Sequence, residues 1–175
     1  GLAVADVNGD GLDDIYLCQP GGLPDQLWMR RPDGTAVEVA ATLGLDMLDY
    51  SSSALFVDLD NDGDQDLVRT TSSALIVHVN KGGGAFPEAF VRDIDGATSL
   101  AAADIDLDGL VDVFLCTYGS PYTGGGLPLP FQDARNGTQN LLLANRGVKP
   151  DELAFEDVTV AAGMGGPDQR FSFAA

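Results

Sequence analysis

Residues 58–66 read DLDNDGDQD, and five of these nine positions are aspartate. Aspartate forms strands and helices poorly, and carboxylates placed this close together repel one another. β-Prone runs flank the stretch on both sides, SALFV at 53–57 and LVRTT at 67–71. The pattern therefore predicts a tight acidic loop that joins two strands.

The acidic stretch recurs twice elsewhere in the chain. DVNGDGLDD at 6–14 and DIDLDGLVD at 104–112 align with it without gaps, so the three copies begin at residues 6, 58 and 104. A small apolar run precedes each copy, and a β-type run follows it. Further strand-like runs then come at 25–34 and 36–40, at 73–84 and 89–93, and at 138–147 and 153–160.

Four short strands per unit, repeated about every 50 residues, are typical of β-propeller blades. We therefore expect an all-β fold of four-stranded antiparallel units that forms a single domain over residues 1–175. The tail RFSFAA at 170–175 is similar to the first strand of another unit, so the expectation is about three blades and a partial fourth. A β-solenoid or a two-sheet sandwich is the alternative, although such units are long for a solenoid rung. Only residues 39–48 show a hydrophobic pattern with helical periodicity.

A long insert interrupts the third unit at residues 119–137. It is rich in glycine and proline, which indicates a surface loop. Its aromatic residues Tyr122 and Phe131, with the adjacent Tyr118, are candidates for the rim of a binding surface. Asn136 begins a formal N-glycosylation sequon, which matters only in a eukaryotic secretory route.

The three acidic loops share one pattern of oxygen-bearing residues. Counted from the first aspartate, positions 1, 3, 5 and 9 carry side-chain oxygens, position 6 is always glycine, and position 7 varies. The predicted side-chain ligands are Asp6, Asn8, Asp10 and Asp14; Asp58, Asp60, Asp62 and Asp66; and Asp104, Asp106, Asp108 and Asp112. The predicted backbone-carbonyl ligands at position 7 are Leu12, Asp64 and Leu110.

This pattern predicts about three Ca²⁺ ions, one in each loop. Ca²⁺ takes about six to eight oxygen ligands, and a glycine permits the sharp turn that aims the next carbonyl inward. The loops are not EF-hands, because position 12 is Leu17, Arg69 or Leu115 rather than glutamate. Asx-turns at hairpin tips are the alternative, but turn chemistry does not require four oxygen positions. Mg²⁺ prefers fewer protein ligands, and transition metals favour His or Cys, which the loops lack.

The charge of the chain is strongly acidic. There are 27 acidic and 9 basic residues, for a net charge of −18. This balance argues against nucleic acid and anionic lipid as partners and favours cations. No apolar run approaches the roughly 18 residues of a membrane-spanning helix, so no membrane insertion is expected. Adaptation to high salt is an alternative source of the acidity, but it predicts scattered rather than clustered acids.

The remaining reactive residues give little sign of catalysis. Cys18 and Cys116 occupy equivalent positions in two non-adjacent units, too far apart to expect a disulfide, so both are predicted to be buried thiols. His78 is the single histidine and lacks a partner with a matching catalytic role. The glycine run at 82–84 indicates a hairpin turn rather than a phosphate cradle. The chain is not expected to be an enzyme.

Each unit resembles an FG-GAP repeat, also called a VCBS-type repeat. The resemblance lies in the small apolar run, the motif D-x-N/D-x-D-G-x-x-D that follows it, and the apolar strand after the motif. A further similarity, to segments of the ASPIC/UnbV and cartilage-acidic-protein relatives, is carried by LLLANRG at 141–147 together with LAFEDVTVAAGM at 153–164. A looser version of the same segment is QLWMRRPDGTAVEVAATLGL at 26–45. The resemblance implies an integrin-α-like propeller with Ca²⁺ in the loop between the first two strands of each blade. Such propellers usually have about seven blades. We therefore expect a fragment, or a chain that assembles with copies of itself.

Three functions follow from these observations. The first is a Ca²⁺-stabilised module that binds a protein or glycan; the resemblance implies an extracellular or cell-envelope location and adhesion. The second is a polysaccharide-processing enzyme domain, which would need a pair of carboxylates with one raised pKa. The third is a structural spacer without a ligand of its own.

Overall fold

The structure is a computed structural model that describes residues 1–82, 85–118, 138–148 and 153–165. The predicted surface insert at 119–137, with Tyr122, Phe131 and Asn136, lies outside the described residues. So do two of the three glycines at 82–84 and the tail at 170–175, on which the partial fourth blade was predicted.

The described strands form three four-stranded antiparallel sheets, each made of consecutive strands. Blade 1 contains β1 (Leu2–Ala5), β2 (Asp14–Leu17), β3 (Gln26–Arg30) and β4 (Ala36–Glu38). Blade 2 contains β5 (Ser51–Val57), β6 (Asp66–Thr71), β7 (Ala74–His78) and β8 (Glu88–Asp93). Blade 3 contains β9 (Ala97–Ala103), β10 (Asp112–Thr117), β11 (Leu141–Val148) and β12 (Leu153–Asp157).

The prediction of an all-β chain built from propeller-like blades is confirmed, since the described strands form three four-stranded sheets and helix accounts for about 3% of the described residues. The one helix among the described residues, α1 (Ala40–Leu43), falls within the predicted stretch 39–48 and ends at Gly44, whose φ is 72°. The described strands form no closed barrel. Among the described residues, no helix is long and apolar enough to cross a bilayer.

The hydrophobic core is divided between the two junctions of adjacent blades. Tyr16, Leu27 and Leu67 belong to the cluster between blades 1 and 2. Leu59 and Leu143 belong to the cluster between blades 2 and 3. Blade 2 is covered on both faces, and for this reason every residue of β6 and β7 is buried.

Blade 1 has one covered and one open face. Side chains alternate across a strand, so Ala3 and Tyr16 point into the junction with blade 2 and are buried. The intervening Leu2, Val4 and Ile15 point outward and are exposed. The part of this outward face that β1 and β2 form is therefore apolar.

Each acidic loop joins the first two strands of its blade, as predicted. The pairs Ala5↔Asp14, Val57↔Asp66 and Ala103↔Asp112 close the three loops in the same register. Position 9 is thus the first residue of the second strand, where its side chain is buried.

The backbone of the loops explains the glycine at position 6. Gly11, Gly63 and Gly109 have φ values of 83°, 95° and 89°, a region that other L-residues rarely adopt. Position 4 is also left-handed, and there the two non-glycine residues are Asn61 and Leu107, at φ 60° and 62°. Asparagine tolerates this conformation, whereas leucine pays about 1–2 kcal/mol for it.

Both cysteines are free thiols, which confirms that they do not form a disulfide. Cys116 is buried, as predicted, whereas Cys18 is only half-buried, so the prediction of a buried thiol is wrong for Cys18. Burial raises the pKa of both thiols.

Candidate metal centre

The aspartate at position 9 ties each loop to the rest of its blade. In loop 2, residues 58–66, one oxygen of Asp66 accepts the N–H of Leu59 at 2.8 Å, and the other accepts the N–H of Asn80 at 2.8 Å. Loops 1 (6–14) and 3 (104–112) repeat both bonds. The equivalent pairs are Val7–Asp14, Arg30–Asp14, Ile105–Asp112 and Asn145–Asp112. Position 9 therefore holds position 2 of the loop against the end of the third strand.

The aspartate at position 1 orients the turn itself. In all three loops its Oδ2 accepts the N–H of the position-6 glycine, at distances of 2.8 to 3.0 Å. The aspartate at position 5 in turn accepts the N–H of position 7, at 2.9 to 3.0 Å. These bonds turn the carboxylates at positions 1 and 5 toward the inside of the loop.

Two loops bring three carboxylates together. Asp58, Asp60 and Asp62 each offer one oxygen, and these oxygens lie within 4.8 Å of one another. Asp104, Asp106 and Asp108 form the same arrangement in loop 3. Loop 1 carries Asn8 at position 3, and its Nδ2 donates to Oδ2 of Asp10 at 3.1 Å. Positions 1, 3 and 5 thus form the candidate cation site.

Among the described residues, loop 2 is the only acidic loop with buried carboxylate oxygens that lack a hydrogen-bond partner. Asp58 Oδ1 and Asp60 Oδ1 are buried and have no hydrogen-bond partner. The Asp60 side chain is only 6% exposed, and its other oxygen binds Lys81 Nζ at 3.2 Å. A buried carboxylate oxygen without a partner is costly, and two such oxygens in one cluster fit a cation between them.

A basic residue near the end of the third strand approaches position 3 in loops 2 and 3. Lys81 contacts Asp60, and Arg146 contacts Asp106 at 3.3 Å and Asp108 at 3.8 Å. Arg146 also donates to Glu156 at 2.9 Å. These contacts engage the Oδ2 atoms of the acids and offset only part of the loop charge.

Burial perturbs the pKa of two position-9 carboxylates, Asp66 and Asp14. Burial raises the pKa of Asp66 to about 6, against the lowering effect of its two backbone hydrogen bonds, and the nearby Asp60 and Asp62 raise it further. Burial also raises the pKa of Asp14. A bound cation would act in the opposite direction, because it favours the charged form.

The structure brings together positions 1, 3 and 5 but leaves two parts of the predicted ligand set untested. The three-carboxylate groups do not include position 9, whose oxygens each accept one backbone N–H and retain a second lone pair. Direct ligation by Asp14, Asp66 and Asp112 stays a prediction. The same holds for the carbonyls of Leu12, Asp64 and Leu110; the side chain of Asp64 itself is exposed.

Sequence reasoning missed four residues near the end of the third strand. Asn80 and Asn145 hold the loops in place, and Lys81 and Arg146 contact their acids. The signal was present as NKG at 80–82 and NRG at 145–147. In both copies the asparagine Oδ1 accepts the N–H of the glycine, at 3.0 and 2.9 Å.

A second polar cluster lies buried between blades 1 and 2. The carboxylate of Asp25 accepts hydrogen bonds from Tyr16, Ser51 and the N–H of Gln19. Arg69 donates to Ser51 Oγ at 3.3 Å and to His78 Nε2 at 3.3 Å. This last bond requires a neutral His78, and burial together with Arg69 lowers its pKa to about 4.

Acidification should therefore destabilise the protein through His78. The unfolded histidine binds a proton below about pH 6.5, whereas the folded one resists it down to about pH 4, so stability falls as the pH falls through this window. From pH 7 to pH 4 we expect the wild type to lose up to about 3 kcal/mol more than His78→Gln. Glutamine can still accept from Arg69 but does not titrate.

Urea unfolding at both pH values, with the same excess of CaCl₂, measures this difference. Contributions from the loop carboxylates are common to both proteins and cancel in the comparison. Parallel pH dependence of the two proteins would show that His78 is not the titrating group.

Three blade-like sheets, each with an acidic loop of one pattern between its first two strands, are characteristic of a propeller-like repeat protein. The family model of the FG-GAP-like repeat matches residues 6–69 and 58–115, and the chain belongs to this family. The predicted resemblance is thus confirmed at the level of the repeat; the closer likeness to the ASPIC/UnbV and cartilage-acidic-protein relatives stays a prediction. Comparison with curated proteins gives no significant match.

Proposed function

We propose that the chain is a Ca²⁺-binding propeller module in which the ion stabilises the loop between the first two strands of each blade. The observation that carries this proposal is the pair of buried, unpartnered oxygens on Asp58 and Asp60. A cation coordinated by positions 1, 3 and 5 gives both oxygens a partner and relieves the repulsion among the three carboxylates.

Calcium fits these loops better than other cations. The donors are carboxylate, amide and carbonyl oxygens, which hard cations prefer. Ca²⁺ accepts many protein ligands in flexible geometry, whereas Mg²⁺ keeps several waters. Asn8 makes loop 1 less acidic than loop 2, and we expect it to bind more weakly.

Calorimetric titration of the metal-free protein with CaCl₂ tests the proposal. We expect binding at about three sites and an affinity for Mg²⁺ at least about tenfold lower. Equal affinity for the two ions, or no binding of Ca²⁺ at millimolar concentration, would contradict it.

The module is proposed to work outside the cell or in the cell envelope, in adhesion to a protein or glycan partner. The family resemblance and the strongly acidic charge support this location and speak against nucleic acid as a partner. The apolar part of the outward face of blade 1, where Leu2, Val4 and Ile15 are exposed, fits contact with a further blade or with another copy of the chain. Either arrangement would close the ring.

Two other functions make different predictions. A spacer would bind no glycan, whereas an adhesion module would bind one only with Ca²⁺ present, so a glycan array with and without CaCl₂ separates them. A polysaccharide-processing enzyme needs a proton on one carboxylate, and a cation in the loops opposes this. Turnover of acidic or neutral polysaccharides would support the enzyme; we propose that there is none.

A further inference from the structure

Asn80 and Asn145 each connect two acidic loops. The side-chain amide of Asn80 donates to the Val7 carbonyl of loop 1 at 2.9 Å and to the Gln65 carbonyl of loop 2 at 3.4 Å. Asn145 repeats this one blade further on. It donates to the Leu59 carbonyl of loop 2 at 2.8 Å and to the Val111 carbonyl of loop 3 at 3.2 Å.

These bonds act on the part of the loop that spaces the ligands. Leu59 is position 2 and lies between the candidate ligands Asp58 and Asp60. Its N–H is held by Asp66 of its own loop, and its carbonyl is held by Asn145 of the next blade. The following blade therefore fixes the backbone that separates positions 1 and 3.

The asparagines are well placed to transmit a change from one loop to the next. Each is buried, and its backbone N–H also binds the position-9 aspartate of its own loop. A third contact joins loops 2 and 3 directly, from Asn61 Nδ2 to the Gly109 carbonyl at 2.9 Å. In loop 3, no described side-chain amide donates to the carbonyl of the equivalent residue, Ile105, which is 52% exposed.

We propose that Asn80 and Asn145 are positioning residues that make adjacent loops bind metal cooperatively. This inference rests on the proposed Ca²⁺ binding and adds that the loops are not independent sites. A filled loop 2 holds its positions 2 and 8 in place. Through the two asparagines it thereby orders position 2 of loop 1 and position 8 of loop 3 before those loops bind metal.

The sign of the coupling separates this mechanism from simple electrostatics. Cations in neighbouring loops repel each other, so charge alone makes a filled loop weaken the next one. The asparagine contacts predict the reverse, with each filled loop strengthening its neighbour. Emptying loop 2 thus gives opposite results under the two mechanisms.

The position-6 glycines provide one reporter for each loop. Gly11, Gly63 and Gly109 donate their N–H to the position-1 carboxylate, so their amide NMR signals should shift when their own loop fills. Titration of the labelled full chain with CaCl₂ then gives three separate affinities. The variants are Asn80→Ala, Asn145→Ala and Asp62→Asn, the last of which empties loop 2.

We expect Asn80→Ala to weaken loops 1 and 2 by about three- to tenfold and to affect loop 3 clearly less, because loop 3 feels only the weaker filling of loop 2. Asn145→Ala should weaken loops 2 and 3 and affect loop 1 clearly less. General destabilisation would not produce this crossed pattern. Asp62→Asn should weaken loops 1 and 3, and in the Asn80→Ala background it should no longer affect loop 1.

Equal weakening of all three loops by both asparagine variants would overturn the inference. So would unchanged or increased affinity of loops 1 and 3 in Asp62→Asn, a comparison that is decisive even where an asparagine variant fails to fold. If the three glycine signals respond to Ca²⁺ independently of one another in the wild type and in all variants, the cooperativity is refuted but the metal sites are supported. Signals that never respond would instead refute the metal sites themselves.

Discussion

Removal of Ca²⁺ with EGTA should lower the melting temperature of this protein by about 10 °C or more. A ligand present at about 100 times its Kd stabilises the folded state by about 2.7 kcal/mol per site. In a chain of 175 residues, 1 kcal/mol corresponds to roughly 2–4 °C. Several filled loops thus account for the full shift, because the unfolded chain does not hold the carboxylates of positions 1, 3 and 5 together.

Differential scanning calorimetry with CaCl₂, with EGTA and with EGTA plus excess CaCl₂ measures this shift. The third condition should restore the original melting temperature. MgCl₂ added to the EGTA sample is the control for general screening of the acidic surface, and it should recover only a small part of the loss. A melting temperature that is the same in all conditions would show that bound metal does not contribute to the stability of the fold.

The substitution Asp60→Asn should have opposite effects with and without Ca²⁺. With Ca²⁺, loop 2 loses a charged ligand, and we expect the melting temperature to fall by roughly 5–10 °C as that site empties. In EGTA, the same change removes a buried charge from a repelling cluster, and the melting temperature should rise by about 2 °C or more. The reversal follows from the unpartnered Oδ1 of Asp60.

Asp64→Asn is the matched control in the same loop. It removes the same charge, but the side chain of Asp64 is exposed and only its backbone carbonyl is a predicted ligand. With Ca²⁺ we expect a shift of less than about 2 °C. If Asp64→Asn destabilised the Ca²⁺ form as much as Asp60→Asn, net charge rather than coordination would control the stability of the loop.

Much of the architecture could be predicted because the unit is repeated. One copy of the acidic stretch has several explanations, but three copies with the same flanking strands indicate blades. The glycine at position 6 could likewise be assigned, since its left-handed backbone is a local property of the turn. Leu107 could not, because nothing in its neighbours in sequence indicates a φ of 62°.

The candidate site was predictable in its residue types and only partly in its contacts. Alternate oxygen positions place Asp58, Asp60 and Asp62 together through local geometry alone. The role of Asp66 as a tie to Asn80, and the role of Asn80 as a bridge to Val7, depend on residues 14 and 73 positions apart. A repeated NKG or NRG marks such a residue without showing what it touches.

The sequence by itself determined the kind of unit, the place of the loops between the first two strands, and the oxygen donors at positions 1, 3 and 5. These depend on residues within a few positions of one another and on a pattern that occurs three times. Only the tertiary structure decided which oxygens of loop 2 are buried without a partner, how Arg69 and His78 meet between blades 1 and 2, and how one asparagine joins two loops. Each of these follows from the packing of one blade against the next, which brings together side chains that are distant in sequence.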